Sequence, residues 1–270
     1  MGRAKRMERV VALTKILVDH PQHLFSFSYF CKKFEVAKST LSEDVLAVKT
    51  GLELFGLGKV ETISGAAGGV RFIPGRRVED DNKFLQELAV KLASPDRILA
   101  GGMLYVTDIL CEPQTVVRLG EVFLNRLKHL APDYVMTVET RGISLAFLVA
   151  RAFNIPLVMA RHDNYITEGP TVNINYVSGS RKNIRTMALP KRVLQPGSKV
   201  LIVDDVMKAG GTARGMVELA GEVGATVVGK AFLIETATPE NKLIDDYTAF
   251  FRLYDVDEEA RKVTIEPILG

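Results

Sequence analysis

The sequence lacks several features that would place it in common classes of protein. It contains no tryptophan, and its two cysteines, Cys31 and Cys111, stand far apart without the spacing of zinc ligands. We therefore expect no disulfide framework and predict a protein of the reducing cytoplasm. The basic start at residues 1–6 is not followed by the apolar stretch of a signal peptide, and no run of about 18 apolar residues occurs that would span a membrane.

Length and charge indicate two domains of different character. The chain has 270 residues, of which 47% are hydrophobic. This length and composition are sufficient for two domains with buried cores. Residues 1–77 carry 13 Lys and Arg against 7 Asp and Glu, a net charge of +6, whereas the remainder carries 22 against 25, a net charge of −3. A small basic module on a mildly acidic body suggests that the module binds a polyanion. The segment Ile73-Pro74-Gly75 ends a strand-like run, so the predicted domains are residues 1–74 and 75–270.

The first predicted domain has the element order of a winged helix-turn-helix. Three helical patterns precede two short strands, and small residues, including three glycines, join the strands as a hairpin. The expected elements are helices over Met7–Asp19, after Ser26 and from Ala37, and strands over Lys59–Ile63 and Val70–Ile73. Ser26 is expected to cap the second helix, and Thr40 and Glu43 have the spacing of a capping box for the third.

The third helix is the candidate for DNA binding, because only the major groove is wide enough to admit a helix. Its first turn offers hydrogen-bond donors to phosphates and base edges, and the glycine-rich hairpin can approach a DNA backbone closely. The predicted DNA-binding residues are Arg3, Lys5, Arg6, Lys38, Ser39, Thr40, Ser42, Gly68 and Gly69. The alternative is that Thr40 and Glu43 only cap a helix and that the basic residues form a solvated face.

The pattern changes beyond residue 80, where continuous apolar runs alternate with helical stretches. The runs are Tyr134–Val138, Leu157–Ala160, Val200–Val203 and Thr226–Ile234, and the helical stretches between them include Leu145–Phe153 and Ala213–Val223. Fully apolar strands that alternate with helices are typical of a parallel sheet covered on both faces, an α/β fold. The polar alternation of Thr171–Val177 predicts a protruding hairpin instead.

The most specific pattern is an apolar strand that leads to Asp204 and Asp205, then to a loop of small residues, then to a helix. Ligands of open parallel sheets bind at the carboxyl ends of strands. Loop amides, two glycines and a helix N-terminus suit a phosphate, while the adjacent carboxylates suit the hydroxyls of a sugar. The predicted binding residues are Asp204, Asp205, Val206, Met207, Lys208, Ala209, Gly210, Gly211 and Thr212. The alternative is an acid pair that caps a helix in an ordinary α/β turn.

This segment resembles the motif with which type I phosphoribosyltransferases bind phosphoribosyl pyrophosphate (PRPP), and the resemblance extends over most of residues 80–270. Residues 134–144 are similar to the strand and pyrophosphate-binding loop of adenine and xanthine phosphoribosyltransferases, which adds Thr140, Arg141 and Gly142 to the predicted PRPP site. Residues 161–190 match the mobile flap of that family. The flap carries cations suited to closing over an anionic ligand, namely Arg161, His162, Lys182 and Arg185.

With the winged helix included, nearly the full chain resembles the purine operon repressor family of Gram-positive bacteria. The segments that carry this resemblance are Ala37–Asp44, Gly65–Val70, Ile174–Ser180 and Asp204–Thr212. The resemblance implies a homodimer that binds double-stranded control sequences of purine genes and responds to PRPP, with or without Mg²⁺. It implies neither a required cofactor nor a protein-held metal.

Two features of the sequence bear on whether the chain is a PRPP sensor or an active phosphoribosyltransferase. Lys208 stands where catalytic relatives usually carry a small or acidic residue, and the carboxyl end, Val263–Gly270, shows no convincing segment for recognising a nucleobase. We therefore predict no catalytic residue and a PRPP sensor that regulates transcription. The alternatives are an active purine phosphoribosyltransferase with an appended nucleic-acid-binding domain, and a PRPP-binding protein whose first domain binds RNA or protein.

Overall fold

A computed structural model of the chain describes residues 4–65, 68–162, 169–177 and 184–270. The chain divides into two compact units. The first comprises residues 1–77 together with 151–154, and the second comprises residues 78–150 together with 155–270. Among the described residues, no helix is both long enough and apolar enough to cross a membrane.

The first unit is a winged helix, with three helices and a small antiparallel sheet. Its elements are α1 (Arg6–Asp19), β1 (Phe25–Ser26), α2 (Phe27–Phe34), α3 (Lys38–Leu54), β2 (Lys59–Ile63) and β3 (Gly69–Ile73). The strands pair in the order β1-β3-β2. Apolar residues recur every three or four positions on α1 and α3, so that one face of each helix packs on the inner face of this sheet.

A buried ion pair joins α1 to α3. The Arg9 guanidinium donates to both carboxylate oxygens of Asp44, with Nε 2.7 Å from Oδ2 and Nη2 3.3 Å from Oδ1, and its Nη1 donates to the carbonyl of Ala4 at 2.8 Å. Both side chains are less than a tenth exposed. Because the pair is buried, the loss of the Asp44 carboxylate would leave the Arg9 guanidinium without this counter-charge, at a cost of about 3–5 kcal/mol.

The second unit has the type I phosphoribosyltransferase fold, in which helices flank a mostly parallel sheet. Its helices are α4 (Val78–Leu92), α5 (Thr107–Cys111), α6 (Pro113–Leu127), α7 (Ile143–Phe153) and α8 (Gly211–Glu222). Its strands are β4 (Ile98–Leu99), β5 (Met103–Leu104), β6 (Tyr134–Val138), β7 (Leu157–Ala160), β8 (Thr171–Val177), β9 (Ile184–Pro190), β10 (Lys199–Met207), β11 (Thr226–Thr236), β12 (Thr248–Asp257) and β13 (Lys262–Pro267).

The central sheet has six strands in the order β13-β12-β11-β10-β6-β7. All neighbouring pairs are parallel except β12 and β13. The central strands β10 and β6 are almost wholly buried, which explains their continuous apolar sequences. Two further antiparallel pairs lie outside this sheet: the short β4–β5 hairpin and the longer β8–β9 hairpin. The predicted alternation of strands and helices is confirmed, and Thr171–Val177 pairs antiparallel outside the central sheet, with Tyr176 buried against the core.

One predicted helix cap is wrong. The third helix begins at Lys38 with Ala37 as its N-cap and without a side-chain cap, so Thr40 and Glu43 lie inside the helix and form no capping box. The amide of Leu41 already donates to the carbonyl of Ala37 at 3.1 Å, so the helical hydrogen bonds begin before Thr40 could act as a cap. The expected cap of the second helix is confirmed, because Ser26 Oγ accepts a hydrogen bond from the amide of Tyr29.

Candidate functional site

The two adjacent carboxylates lie on β10, near its carboxyl end. Asp204 is 8% exposed and Asp205 is 5% exposed, so both acids have left water. Although successive side chains of a strand usually point to opposite faces, these two carboxyl groups lie close enough to interact with each other. Asp204 Oδ1 accepts a hydrogen bond from the Asp205 amide at 2.9 Å.

A loop between β6 and α7 lies against this acid pair. Arg141 Nε is 3.0 Å from Asp205 Oδ2, yet Oδ2 has no aligned hydrogen-bond donor. The contact between Arg141 and Asp205 is therefore an ion pair whose geometry leaves the buried Oδ2 able to accept a hydrogen bond from another donor. The next residue is glycine for a steric reason, since a Cβ at Gly142 would collide with Asp204 Oδ1. Thr140 and Arg141 are exposed, whereas Gly142 is buried.

Burial raises the pKa of Asp204 well above its usual value, and the negative charge of Asp205 raises that pKa further. Arg141 opposes this effect more weakly, because it lies beside Asp205. Each acid thus has a different means of tolerating its neighbour. Asp205 has a cation beside it, and Asp204 holds a proton more strongly than an exposed aspartate does.

The segment after β10 forms a tight loop into α8. Gly210 has φ of +84°, a left-handed conformation that side chains rarely adopt, and it is the N-cap of α8. Gly211 is the first residue of that helix, so of the two glycines only Gly210 adopts a positive φ. Lys208 is exposed and Thr212 is half-buried. Free amides at the start of a helix, in a loop with a cation beside it, form a site suited to phosphate.

A cavity of about 580 Å³ joins these parts. It is lined by Arg141, Asp204 and the whole loop over residues 206–213. Sequence reasoning missed its other walls, which are contributed by the β4–β5 hairpin and by the ends of β11 and β12. The Gly101-Gly102 pair at the tip of the β4–β5 hairpin is a turn signal that could have located one of them.

The β8–β9 hairpin supplies two further cavity residues, Tyr176 and Arg185. Arg185 was predicted as a flap cation. The other flap residues lie elsewhere: Arg161 Nη1 is 3.6 Å from Glu139 Oε2, and the amide of His162 donates to Glu139 Oε1 at 2.7 Å. Lys182 lies outside the described residues.

The predicted DNA-binding residues of the third helix are placed at the start of α3. Lys38, Ser39 and Ser42 are exposed and Thr40 is half-buried. Lys38 Nζ lies 5.7 Å from the centre of the Phe27 ring, and Ser42 donates its hydroxyl to the carbonyl of Lys38 at 2.9 Å. Lys38 and Ser39 are therefore the residues of this turn best placed to meet a ligand.

The remaining predicted DNA contacts lie on α1 and on the hairpin. Lys5 and Arg6 are exposed, and Arg6 Nε lies 3.7 Å from Asp44 Oδ1. Gly68 is half-buried, whereas Gly69 is buried in β3, where a Cβ would collide with the carbonyl of Phe25. Gly69 thus serves the packing of the sheet and offers little surface. Arg3 lies outside the described residues.

Two protein-family models match the chain, one for each part. The model described as "Bacterial purine repressor, N-terminal" matches residues 5–74, and the model described as "Phosphoribosyl transferase domain" matches residues 107–264. The purine biosynthesis transcriptional repressor PurR of Bacillus subtilis is 42% identical over 262 residues, which cover 97% of this chain and 92% of the relative. The chain belongs to the PurR family of purine biosynthesis regulators.

Members of the PurR family differ in the direction of their control. The relative from Lactococcus lactis, 39% identical over 262 residues with 97% of each chain covered, is named a transcriptional activator. Among solved structures, an adenine phosphoribosyltransferase of Saccharomyces cerevisiae superposes with a TM-score of 0.54 at 22% identity, covering 62% of this chain and 97% of the other. That likeness shows the fold of the second unit.

Among the residues that the structure describes, no group of three or more His, Cys, Asp or Glu side chains is arranged to hold a metal ion. The hard oxygen donors near the cavity are the carboxylates of Asp204 and Asp205.

Proposed function

We propose that this chain regulates transcription of purine biosynthesis genes by binding their operator DNA, and that PRPP bound in the cavity of the second unit sets its affinity for that DNA. One observation carries the proposal: the buried acid Asp204, Arg141 and the glycine loop line a single cavity of about 580 Å³, and the second buried acid, Asp205, lies beside Arg141. These are the donors and acceptors that a sugar bearing a phosphate at one end and a pyrophosphate at the other would need.

Each group of PRPP has a partner in this proposal. The ribose hydroxyls donate to Asp204 and Asp205, whose buried oxygens accept hydrogen bonds. The 5-phosphate binds the loop over residues 206–212, where backbone amides and Thr212 donate. The pyrophosphate binds Thr140, Arg141 and Gly142, and Arg141 exchanges its carboxylate partner for phosphate oxygens.

Mg²⁺ fits this site as a companion of PRPP. It prefers a few carboxylates together with phosphate oxygens and keeps several waters. Asp205 Oδ2, which is buried and lacks a hydrogen-bond donor, is an oxygen that can serve such an ion. When bound, the metal would neutralise part of the pyrophosphate charge.

The first unit is the proposed DNA-binding module. The start of α3 would enter the major groove with Lys38, Ser39, Thr40 and Ser42, while Arg3, Lys5 and Arg6 would add phosphate contacts and the β2–β3 hairpin with Gly68 would approach the backbone. Since PurR family relatives act on bacterial genes, we place this chain in the cytoplasm with the chromosome.

The test is a fluorescence titration of a purine operator fragment with the full chain, in the absence and presence of PRPP. We expect PRPP to change the operator affinity by about 5- to 150-fold, because coupling between two sites is typically worth about 1–3 kcal/mol. The coupling is reciprocal, so operator DNA should change the affinity for PRPP by the same factor. An operator affinity that stays the same at saturating PRPP would overturn the proposal.

We further propose that the cavity senses PRPP without transferring its ribosyl group. Catalysis needs a base held in line and stabilisation of a developing cation, in addition to PRPP binding. Lys208 places a cation beside the proposed phosphate site. Incubation with PRPP, Mg²⁺ and each purine base, followed by nucleotide detection, should give no turnover at enzymatic rates.

A further inference from the structure

The proposed phosphate loop rests on a segment that follows β11 and is distant in sequence. Lys242 extends its ammonium behind the loop and donates two hydrogen bonds, to the carbonyl of Lys208 at 2.7 Å and to the carbonyl of Thr236 at 2.5 Å. One residue later, the amide of Leu243 donates to the carbonyl of Ala209 at 2.9 Å. Two successive carbonyls of the loop are thus held from outside the cavity.

Apolar packing holds the same segment against both ends of the loop. Ile244 is buried in a cluster with Met207, which precedes the loop, and with Ala213, which follows it. Gly210 faces this cluster closely, since a Cβ there would lie 3.3 Å from Ile244 Cγ1. The loop therefore has little freedom to shift as long as the segment stays in place.

Two charged side chains near Lys242, Glu235 and Arg252, form an ion pair with each other. The buried carboxylate of Glu235 accepts hydrogen bonds from the Tyr247 hydroxyl at 2.6 Å and from Arg252 Nε at 2.7 Å. Burial lowers the pKa of Lys242, the charge of Glu235 opposes that effect, and Arg252 adds to it. Lys242 is half-buried, and it is absent from the residues that line the cavity.

We propose that Lys242 is a positioning residue for the effector, which fixes the backbone of the phosphate loop through the carbonyls of Lys208 and Thr236 and does not itself contact the ligand. The inference rests on the proposed function, because it needs PRPP to place its 5-phosphate in this loop. Amide donors bind phosphate well only if the loop already has the correct shape, since ordering it on binding would cost affinity.

The experiment compares the full-length wild type with Lys242→Met, which keeps the aliphatic stem but removes the donors. PRPP affinity is measured by calorimetry, and ribose 5-phosphate affinity by competition with PRPP. We expect both affinities to fall by about tenfold or more, because two carbonyls lose a charged donor. The equal loss is the distinctive result, since the two ligands share only the ribose and its 5-phosphate.

Two variants serve as controls. Lys83→Met removes one exposed lysine from α4 and should leave both affinities unchanged. Arg141→Met should weaken PRPP more than ribose 5-phosphate, because its proposed partner is the pyrophosphate. Hydrogen exchange of the peptide over residues 206–212, measured without ligand, should be faster in Lys242→Met, while exchange in β6 stays the same.

The outcomes separate the two proposals. If the wild type fails to bind PRPP, the proposed function is wrong and this inference falls with it. If the wild type binds PRPP but Lys242→Met binds it equally well, the positioning role alone is wrong. If Lys242→Met loses operator affinity and thermal stability together with PRPP binding, Lys242 has a general structural role and the inference is overturned. A failure of ribose 5-phosphate to compete with PRPP for the wild type would also overturn it.

Discussion

At the scale of single residues, the burial of Asp204 beside a second acid makes the stability of the folded protein depend on pH. Its carboxyl is buried beside a second acid, so the folded protein binds the Asp204 proton more strongly than the unfolded chain does. The group contributes its full share of stability below the ordinary pKa of 3.8 and loses that share as the pH rises toward its raised folded pKa. At neutral pH the Asp204 carboxyl therefore makes the folded protein less stable than a neutral side chain of similar shape would.

The raised pKa of Asp204 predicts the effect of Asp204→Asn, in which a neutral amide replaces the carboxyl group. We expect the variant to be more stable than the wild type at pH 8, by about 0.5–2 kcal/mol, and to lose the PRPP response while keeping operator affinity. Thermal unfolding should show the stability gap shrinking as the pH falls toward 4. Asp96→Asn removes an exposed carboxylate and is the matched control. A lower melting temperature for Asp204→Asn at pH 8 would contradict the prediction.

At the scale of elements, the β8–β9 hairpin packs closely against α8. Gly215 of α8 lies under the Tyr176 ring, and a Cβ there would be 3.1 Å from the ring carbon Cγ. Tyr176 is buried and also lines the cavity. The absence of a side chain at Gly215 therefore sets how closely the hairpin approaches the proposed PRPP site.

We predict that Gly215→Leu displaces the hairpin and weakens PRPP binding, with an overpacking cost of about 1–3 kcal/mol divided between stability and affinity. Calorimetry with PRPP and thermal unfolding measure the two parts. Gly221→Leu is the matched control, because this glycine lies in the same helix with no atom within 4 Å of its Cβ position. Equal behaviour of the two variants would mean that the hairpin does not shape the site.

The start of α3 is the second element with a testable role. Lys38→Ala should weaken operator binding and lower the dependence of the logarithm of affinity on the logarithm of salt concentration by about 0.9, as expected for one lost phosphate contact. The measurement is an operator titration at several salt concentrations, with Lys83→Ala as a control of equal charge. A slope that is unchanged in Lys38→Ala would place Lys38 away from the DNA backbone.

The elements that sequence predicted best are those with a local signal. The apolar run before Asp204, the glycines that follow it and the cap at Ser26 each depend on residues close in the chain. The capping box at Thr40 was wrong because the helix begins at Lys38, where no side chain caps it, so the capping residue could not be recognised from its side chain. The hydrogen bond from Lys242 to the carbonyl of Lys208 could not be predicted from sequence, since it joins residues 34 positions apart.

At the scale of the whole molecule, the charge asymmetry of the sequence coincides with a change of role. The basic part forms the winged helix and the acidic part carries the phosphoribosyltransferase fold. An acidic body discourages non-specific binding of DNA outside the first unit. The proposed binding of PRPP, an anion, would then depend on local loops rather than on net charge.

We expect the chain to act as a homodimer, since operators with two half-sites match the symmetry of a protein dimer. Sedimentation equilibrium of the free protein should give twice the mass of one chain, and titration at concentrations above the dissociation constant should give an even number of chains for each operator. A monomer in both measurements would contradict this prediction and leave the two-unit chain to act alone.

The ion pair between Arg9 and Asp44 has a consequence for living cells. Asp44→Ala would strand a buried guanidinium between α1 and α3, and the resulting loss of about 3–5 kcal/mol is a large part of the stability of a small domain. Such an allele should be temperature-sensitive: a culture grown cool would keep control of its purine genes, and the same culture would lose that control on warming.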